Sequence, residues 1–178
     1  MHNFTELAKQ RRSIRMFADK ELSQEQVVEL MKAALLAPSS KSKRPWEFVL
    51  VDDKNLLHQL SECKPAGAQF VADAPLAIVV LADTEKSDVW IEDASIASAM
   101  LLLQAEDMGL GACWAQVRSR TQDDGSSSAD MVREILDIPA TFEVLSIIAV
   151  GYKGQERKPV DEEKLLWEKL HVNKFGNQ

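Results

Sequence analysis

The chain is poor in the residues that announce the commonest site chemistries. Among 178 residues there are two cysteines, three histidines, seven glycines, six prolines and one tyrosine. Cys63 and Cys113 form no CxxC pair and are too few for a disulfide framework, so a reducing compartment is expected. His2, His58 and His171 have no metal-ligand spacing, and no metal site is expected. No apolar h-region follows Met1, and no run approaches the roughly 18 apolar residues of a membrane span. A cytoplasmic protein with no membrane attachment is the expectation. GxGxxG, GxxxxGK[ST] and GxSxG are all missing, which removes the motif evidence for a Rossmann site, a P-loop or a nucleophile elbow. Positive charge is in deficit as well, with 21 Lys and Arg against 28 Asp and Glu for a net charge of -7. That balance argues against nucleic acid as a partner, because phosphate backbones reward basic surfaces.

What is present is 46% hydrophobic residues, enough for one core, and no linker or internal repeat. One domain over 1–178 is expected. Phe4 to Arg12 reads as a short helix with Phe4, Leu7 and Ala8 on one face. Ser23 followed by Gln26 has the form of a capping box and opens a second helix, which Pro38 stops. After a polar loop from Ser39 to Arg44, Pro45 leads into a strand from Trp46 to Val51. Asp53 to Cys63 carries Leu56, Leu57 and Leu60 at helical spacing. The unbroken apolar run from Leu76 to Ala82 reads as a strand covered on both faces. A helix from Val89 to Met108, a short strand from Ala112 to Val117, a helix from Ala129 to Leu136 and a strand from Val144 to Tyr152 follow. A short helix is expected in the tail around Leu165 to Leu170.

The Val89–Met108 helix is apolar nearly all round, as a helix buried on every side would be. It is either the central helix of one core or shares a side with a second subunit, and two-fold oligomers are common. Basic residues meanwhile gather in groups: Lys9, Arg11, Arg12 and Arg15; Lys41, Lys43 and Arg44; Arg118 and Arg120; Lys153, Arg157 and Lys158. Guanidinium forks suit phosphate. On spacing alone, each group reads as a solvated patch.

Four segments carry a resemblance. Arg11-Arg12-Ser13-Ile14-Arg15-Met16-Phe17 is similar to the R-R-S-x-R-x-F opening of the FMN-dependent nitroreductases. Ala37 to Phe48 resembles their A-P-S-S stretch followed by P-W-x-F. Gly109 to Trp114 resembles G-L-G-x-x-W, and Val132 to Tyr152 resembles R-x-x-L-x-I-P followed by a strand ending in G-Y. The resemblance implies an α+β, three-layer α/β/α fold with a mainly antiparallel central sheet flanked by helices. It implies a homodimeric oxidoreductase passing electrons from NAD(P)H through bound FMN to a small-molecule electron acceptor by a ping-pong cycle. A flavin-binding protein for storage, sensing or breakdown, without NAD(P)H turnover, is the alternative.

Residue by residue, the resemblance assigns Arg11, Ser13 and Arg15 to the flavin phosphate and ribityl chain, with Arg12 contributing through its backbone. Pro38, Ser39, Ser40 and Ser42 belong to the loop that reaches the flavin of the other subunit. Trp114, Ala115, Gln116 and Val117 pass the ring, one backbone N–H facing N5. Arg157 returns to the phosphate, and the tail from about 159 to 178 is expected over the partner subunit. Ser42 and Arg44 stand where the family usually has Asn and Gln, which alters the expected hydrogen bonds to the ring edge. No side chain is expected to act as a catalytic group in its own right, because the flavin carries the chemistry.

Overall fold

The computed structural model describes residues 3–177. Its helices are α1 (Phe4–Gln10), α2 (Gln24–Leu35), α3 (Lys54–Ser61), α4 (Trp90–Asp107) and α5 (Ser128–Ile135). Its strands are β1 (Trp46–Val51), β2 (Leu76–Asp83), β3 (Leu110–Gln116) and β4 (Phe142–Tyr152). The strands form one antiparallel sheet in the order β1-β2-β4-β3. β2 and β4 are central, which explains the unbroken apolar run Leu76–Ala82 and the mostly apolar Val144–Val150: both faces of each are covered.

Alternation along β2 divides the core. Ala77, Val79 and Leu81 face α3 and α5, whereas Leu76, Ile78 and Val80 face α2 and α4. The result is the three-layer arrangement expected from the sequence. α2 begins at the Ser23–Gln26 capping box, with both reciprocal bonds formed, and Asp53 caps α3 through the N–H groups of Asn55 and Leu56. No helix among the described residues is long and apolar enough to cross a membrane.

Two local expectations change, at α1 and in the tail, and the two alternatives for α4 are narrowed to the one with a side left uncovered in the single chain. α1 ends at Gln10, before the arginines, and buries no residue. α4 is not enclosed on all sides. Ala94, Ala97, Ser98, Leu101 and Ala105 form its buried stripe, while Ile96 is 41% exposed and Ala99 also faces outward. The tail holds two 3-10 turns, Glu162–Lys164 and Trp167–Lys169, in place of a helix over 165–170. Leu165, Leu166, Trp167 and Leu170 are all exposed, and a short helix without a buried face has nothing to offset its nucleation cost.

Candidate functional site

β3 is the edge of the sheet, and its outer side is where the opening motif docks. Ser13 forms a parallel bridge with Ala112, and the Ile14 N–H donates to the Ala112 carbonyl at 3.1 Å. Ile14 is buried, and Gly111 makes room for it: a Cβ there would stand 2.6 Å from Ile14 Cγ2. A glycine is required at position 111 by this approach. With Ile14 as the anchor, Arg11, Ser13 and Arg15 are fixed along the open edge.

The segment after β4 runs antiparallel to this opening. Phe17 bridges Lys153, Gly154 N–H donates to Met16 O at 2.8 Å, and Val160 N–H donates to Lys9 O at 2.9 Å. Between these points, Arg12 Nη1 donates to the Lys158 carbonyl at 2.6 Å. The Arg12 side chain is therefore a clamp between the two segments. The same pairing brings Arg157, exposed, alongside the opening motif. Gln155, on the same returning strand of chain, has a buried Nε2 with no partner among the described residues.

Cationic groups converge beneath β3. Cys113 is buried, which pushes its thiol up; Arg15, the Ser13 hydrogen bond, Arg11 and Lys64 act on it in the opposite direction. Arg15 also lies over the Phe70 ring, 5.7 Å from its centroid. Lys64, absent from the sequence reading, is buried and its Nζ donates to the Gln116 carbonyl at 2.7 Å. Among the described residues, none of Arg11, Arg15, Lys64 and Arg157 is in an ion pair, although Lys9, Lys32, Lys86, Lys153 and Lys164 all are. An uncompensated basic cluster in a chain of net charge -7 is a place for an anion.

The β3 end has a defined orientation. Ala112 turns its carbonyl outward to Ile14, and period-two alternation turns Trp114 and Gln116 the same way. Val117 N–H is committed to Leu145 O at 3.2 Å, so it does not face the open edge; Gln116 N–H does. Ala115 and Val117 bury their side chains toward α3 and α5. Trp114 Nε1 donates to Gln116 Oε1 and Gln116 Nε2 to the Arg118 carbonyl, both at 2.9 Å. Those bonds fix the Gln116 side chain and, with its carbonyl taken by Lys64, leave its main-chain N–H as the available polar group.

The loop after α2 lies at the start of α4. Ser40 N–H donates to Asp93 Oδ1 at 2.7 Å, Ser87 Oγ donates to Asp93 Oδ2 at 3.1 Å, and Ser39 Oγ accepts from Arg44 N–H at 2.9 Å. Asp93 is buried and was not singled out from the sequence; it is one of two acidic residues in the first turn of α4, and nothing local separates it from Glu92. Lys41, Ser42 and Arg44 all have φ near +50°, an unusual density of left-handed residues without glycine. Pro38 and Ser42 are exposed. In the single chain, this loop and the Arg11–Ser13–Lys64 cluster sit on opposite faces of the sheet, the first with α4 and the second toward α3.

Known proteins share this chain's sequence pattern and fold. The model of the nitroreductase family matches residues 8–64 and 57–152. An FMN-dependent nitroreductase structure from Clostridium difficile is 49% identical, with a TM-score of 0.93, covering 95% of this chain and 98% of that one. An Archaeoglobus fulgidus protein, provisionally named NADH dehydrogenase/NAD(P)H nitroreductase, is 37% identical over 83% of each chain. A Bacillus subtilis FMN reductase [NAD(P)H] is 25% identical, over 91% of this chain and 72% of its own. This chain belongs to the nitroreductase family.

Proposed function

We propose that the protein is an FMN-dependent oxidoreductase that passes electrons from NAD(P)H to a small organic acceptor such as a quinone or nitro compound. The observation that carries this reading is the docking of Arg11–Arg15 on the open edge of β3, with its uncompensated cations. The donor set fits FMN. Arg11, Ser13 and Arg157 supply guanidinium and hydroxyl groups for a phosphate dianion, and the orphaned Gln155 amide lies on the same returning segment. Bound FMN supplies the hydride chemistry, which this chain's own side chains lack.

The protein's part is placement and electrostatics. Arg11, Ser13 and Arg157 hold the phosphate, while Arg12 keeps the two segments that carry them together. With FMN bound, the outward N–H of Gln116 would be the strand's donor toward the ring, and Trp114, Ala115 and Val117 would keep that strand end rigid. Arg15 sits on the phosphate side over Phe70. With FMN in place, the pyridine nucleotide and the acceptor would use the same open face in turn.

The working unit is a homodimer in which the whole chain acts as one FMN-binding domain, in a cytoplasm where Cys63 and Cys113 stay reduced. Phe4, Val28, Leu35, Leu36 and Ile96 leave an apolar surface on α1, α2 and α4 uncovered. A second copy covers it, with the tail from about residue 159 lying over the partner. Pro38, Ser39, Ser40 and Ser42 then face the partner's flavin, held in place by Asp93.

The test is the visible spectrum of the purified protein followed by steady-state NAD(P)H oxidation with a quinone. An oxidised-flavin band with acceptor-dependent turnover is expected. A colourless protein that takes up no added FMN overturns the reading; a flavin-loaded protein without turnover moves it to storage, sensing or breakdown of flavin.

A further inference from the structure

Arg118 is a cation with one face covered and its edge free. Its side chain continues the Ala112, Trp114 and Gln116 series on the α4 side of the sheet, two residues beyond the N–H that the proposed function turns toward the flavin ring. The main chain there is fixed. Arg118 N–H donates to Leu145 O at 3.0 Å, its carbonyl accepts from Gln116 Nε2 at 2.9 Å, and Ser119 after it is left-handed at φ +58°. The residue is half-buried, and its guanidinium lies over the Trp90 ring, 5.8 Å from the centroid. The guanidinium makes no hydrogen bond or ion pair among the described residues, although Glu92 and Asp93 stand in the same first turn of α4 as Trp90. Asp93 has both oxygens taken, by the Ser40 N–H and the Ser87 hydroxyl. A guanidinium stacked in this way keeps its fork of N–H donors, the geometry that takes a phosphate through two parallel bonds.

Two substrates take turns at the ring in the proposed reaction, and they differ in charge. A quinone or a simple nitro compound is neutral, whereas NADH and NADPH both carry a pyrophosphate and NADPH a further phosphate. We propose that Arg118, held over Trp90, binds the phosphates of the pyridine nucleotide while its nicotinamide lies at the flavin. The proposal rests on the FMN reading. Two residues of extended chain span about 7 Å, so Arg118 stands clear of the ring-facing N–H of Gln116 and suits a group that extends beyond the ring. It also lies on the α4 side of β3, opposite the face where Cys113 and the Arg11, Arg15 and Lys64 cations gather. Arg120 is not its equivalent. That side chain is exposed and ties Nη1 to the Ser119 carbonyl at 3.1 Å. Arg118 thus favours the electron donor alone, and a neutral acceptor enters the same face without needing it.

The experiment is the anaerobic reduction of the flavin-loaded protein by NADH, by NADPH and by N-benzyl-1,4-dihydronicotinamide, a hydride donor without phosphate. It is run on wild type, Arg118→Ala, Arg118→Gln and Arg120→Ala. Arg118→Ala is expected to raise the half-saturating nucleotide concentration about ten-fold or more and to leave the limiting rate within about two-fold, as loss of uniform binding does. The phosphate-free donor reduces wild type and variant alike, and Arg120→Ala behaves as wild type. Arg118→Gln keeps a stem over Trp90 without the charge; it shows the same rise and gives the answer if the Ala variant does not fold. A rise for both nucleotides places the pyrophosphate at Arg118, and a rise for NADPH alone places its extra phosphate there; both support the proposal. Wild-type nucleotide affinity in Arg118→Gln overturns it. An equal loss with the phosphate-free donor also overturns it and leaves Arg118 a prop for the end of β3. The same rise in Arg120→Ala overturns it too, reducing the effect to the general field of the turn. Failure of the FMN reading is distinct, since wild type would then hold no flavin to reduce.

Discussion

Arg12 Nη1 donates to the carbonyl of Lys158 at 2.6 Å, joining residues 146 positions apart. Arg11 beside it has no such partner among the described residues, so adjacent arginines have different work. Arg12→Ala should lower stability by about 0.5–1.5 kcal/mol, the range for one exchanged hydrogen bond. It should weaken FMN binding less than Arg11→Ala does. Chemical denaturation and FMN titration check both, and an Arg12→Ala variant of unchanged stability would remove the clamp from the account.

The dimer prediction turns on adjacent residues of α4. Ala97 is fully buried against the chain's own sheet, whereas Ile96 is 41% exposed. Ile96→Glu should give a folded monomer with weakened FMN affinity, because Ser39 and Ser40 of the partner leave the site. Ala97→Glu should instead unfold the chain by burying an unpaired charge. Sedimentation and circular dichroism separate the two; an Ile96→Glu protein that stays dimeric with wild-type affinity contradicts the interface.

Alkaline stability follows from Cys63. Burial pushes its thiol up from 9.0 to about 11. Between those values the folded state holds a proton that the unfolded state has released, so stability falls as pH rises from 9 to 11, by at most about 1.4 kcal/mol per pH unit. Lys64 has the opposite sign: its lowered pKa makes the unfolded state the more protonated one below 10.5, and stability is gained as pH rises toward that value. Cys63→Ala removes only the first effect. Denaturation curves from pH 8.5 to 11 should therefore show a smaller alkaline loss in Cys63→Ala, and parallel curves would show that Cys63 does not titrate differently on folding.

The sheet and its helices were legible because local signals and tertiary burial agree there. Leu76–Ala82 is apolar throughout and Val144–Val150 is broken only by Ser146, because both faces are covered there, and the Ser23–Gln26 cap formed as written. The tail misled, since Leu165, Leu166 and Leu170 have helical spacing but no surface of their own chain to pack on. Lys64 and Asp93 were not legible as site residues. A single lysine after α3 carries no motif, and its burial arises only where the end of β3 passes it. Asp93 acquires its partners from Ser40, 53 positions away.

The central claim, that the cations docked on β3 hold the phosphate of FMN, is tested most directly by comparing FMN with riboflavin. Arg11→Ala should remove charge-assisted hydrogen bonds of about 1.5–3 kcal/mol, a loss of roughly ten- to a hundred-fold in FMN affinity. Riboflavin, lacking the phosphate, should bind wild type and variant nearly alike. Lys at position 11 should restore only part of the loss, since a point charge does not replace a planar fork. The measurement is a pair of fluorescence-quenching titrations on wild type, Arg11→Ala and Arg157→Ala. The account predicts a large fall for FMN and almost none for riboflavin; equal falls for the two ligands, or none for either, would contradict it.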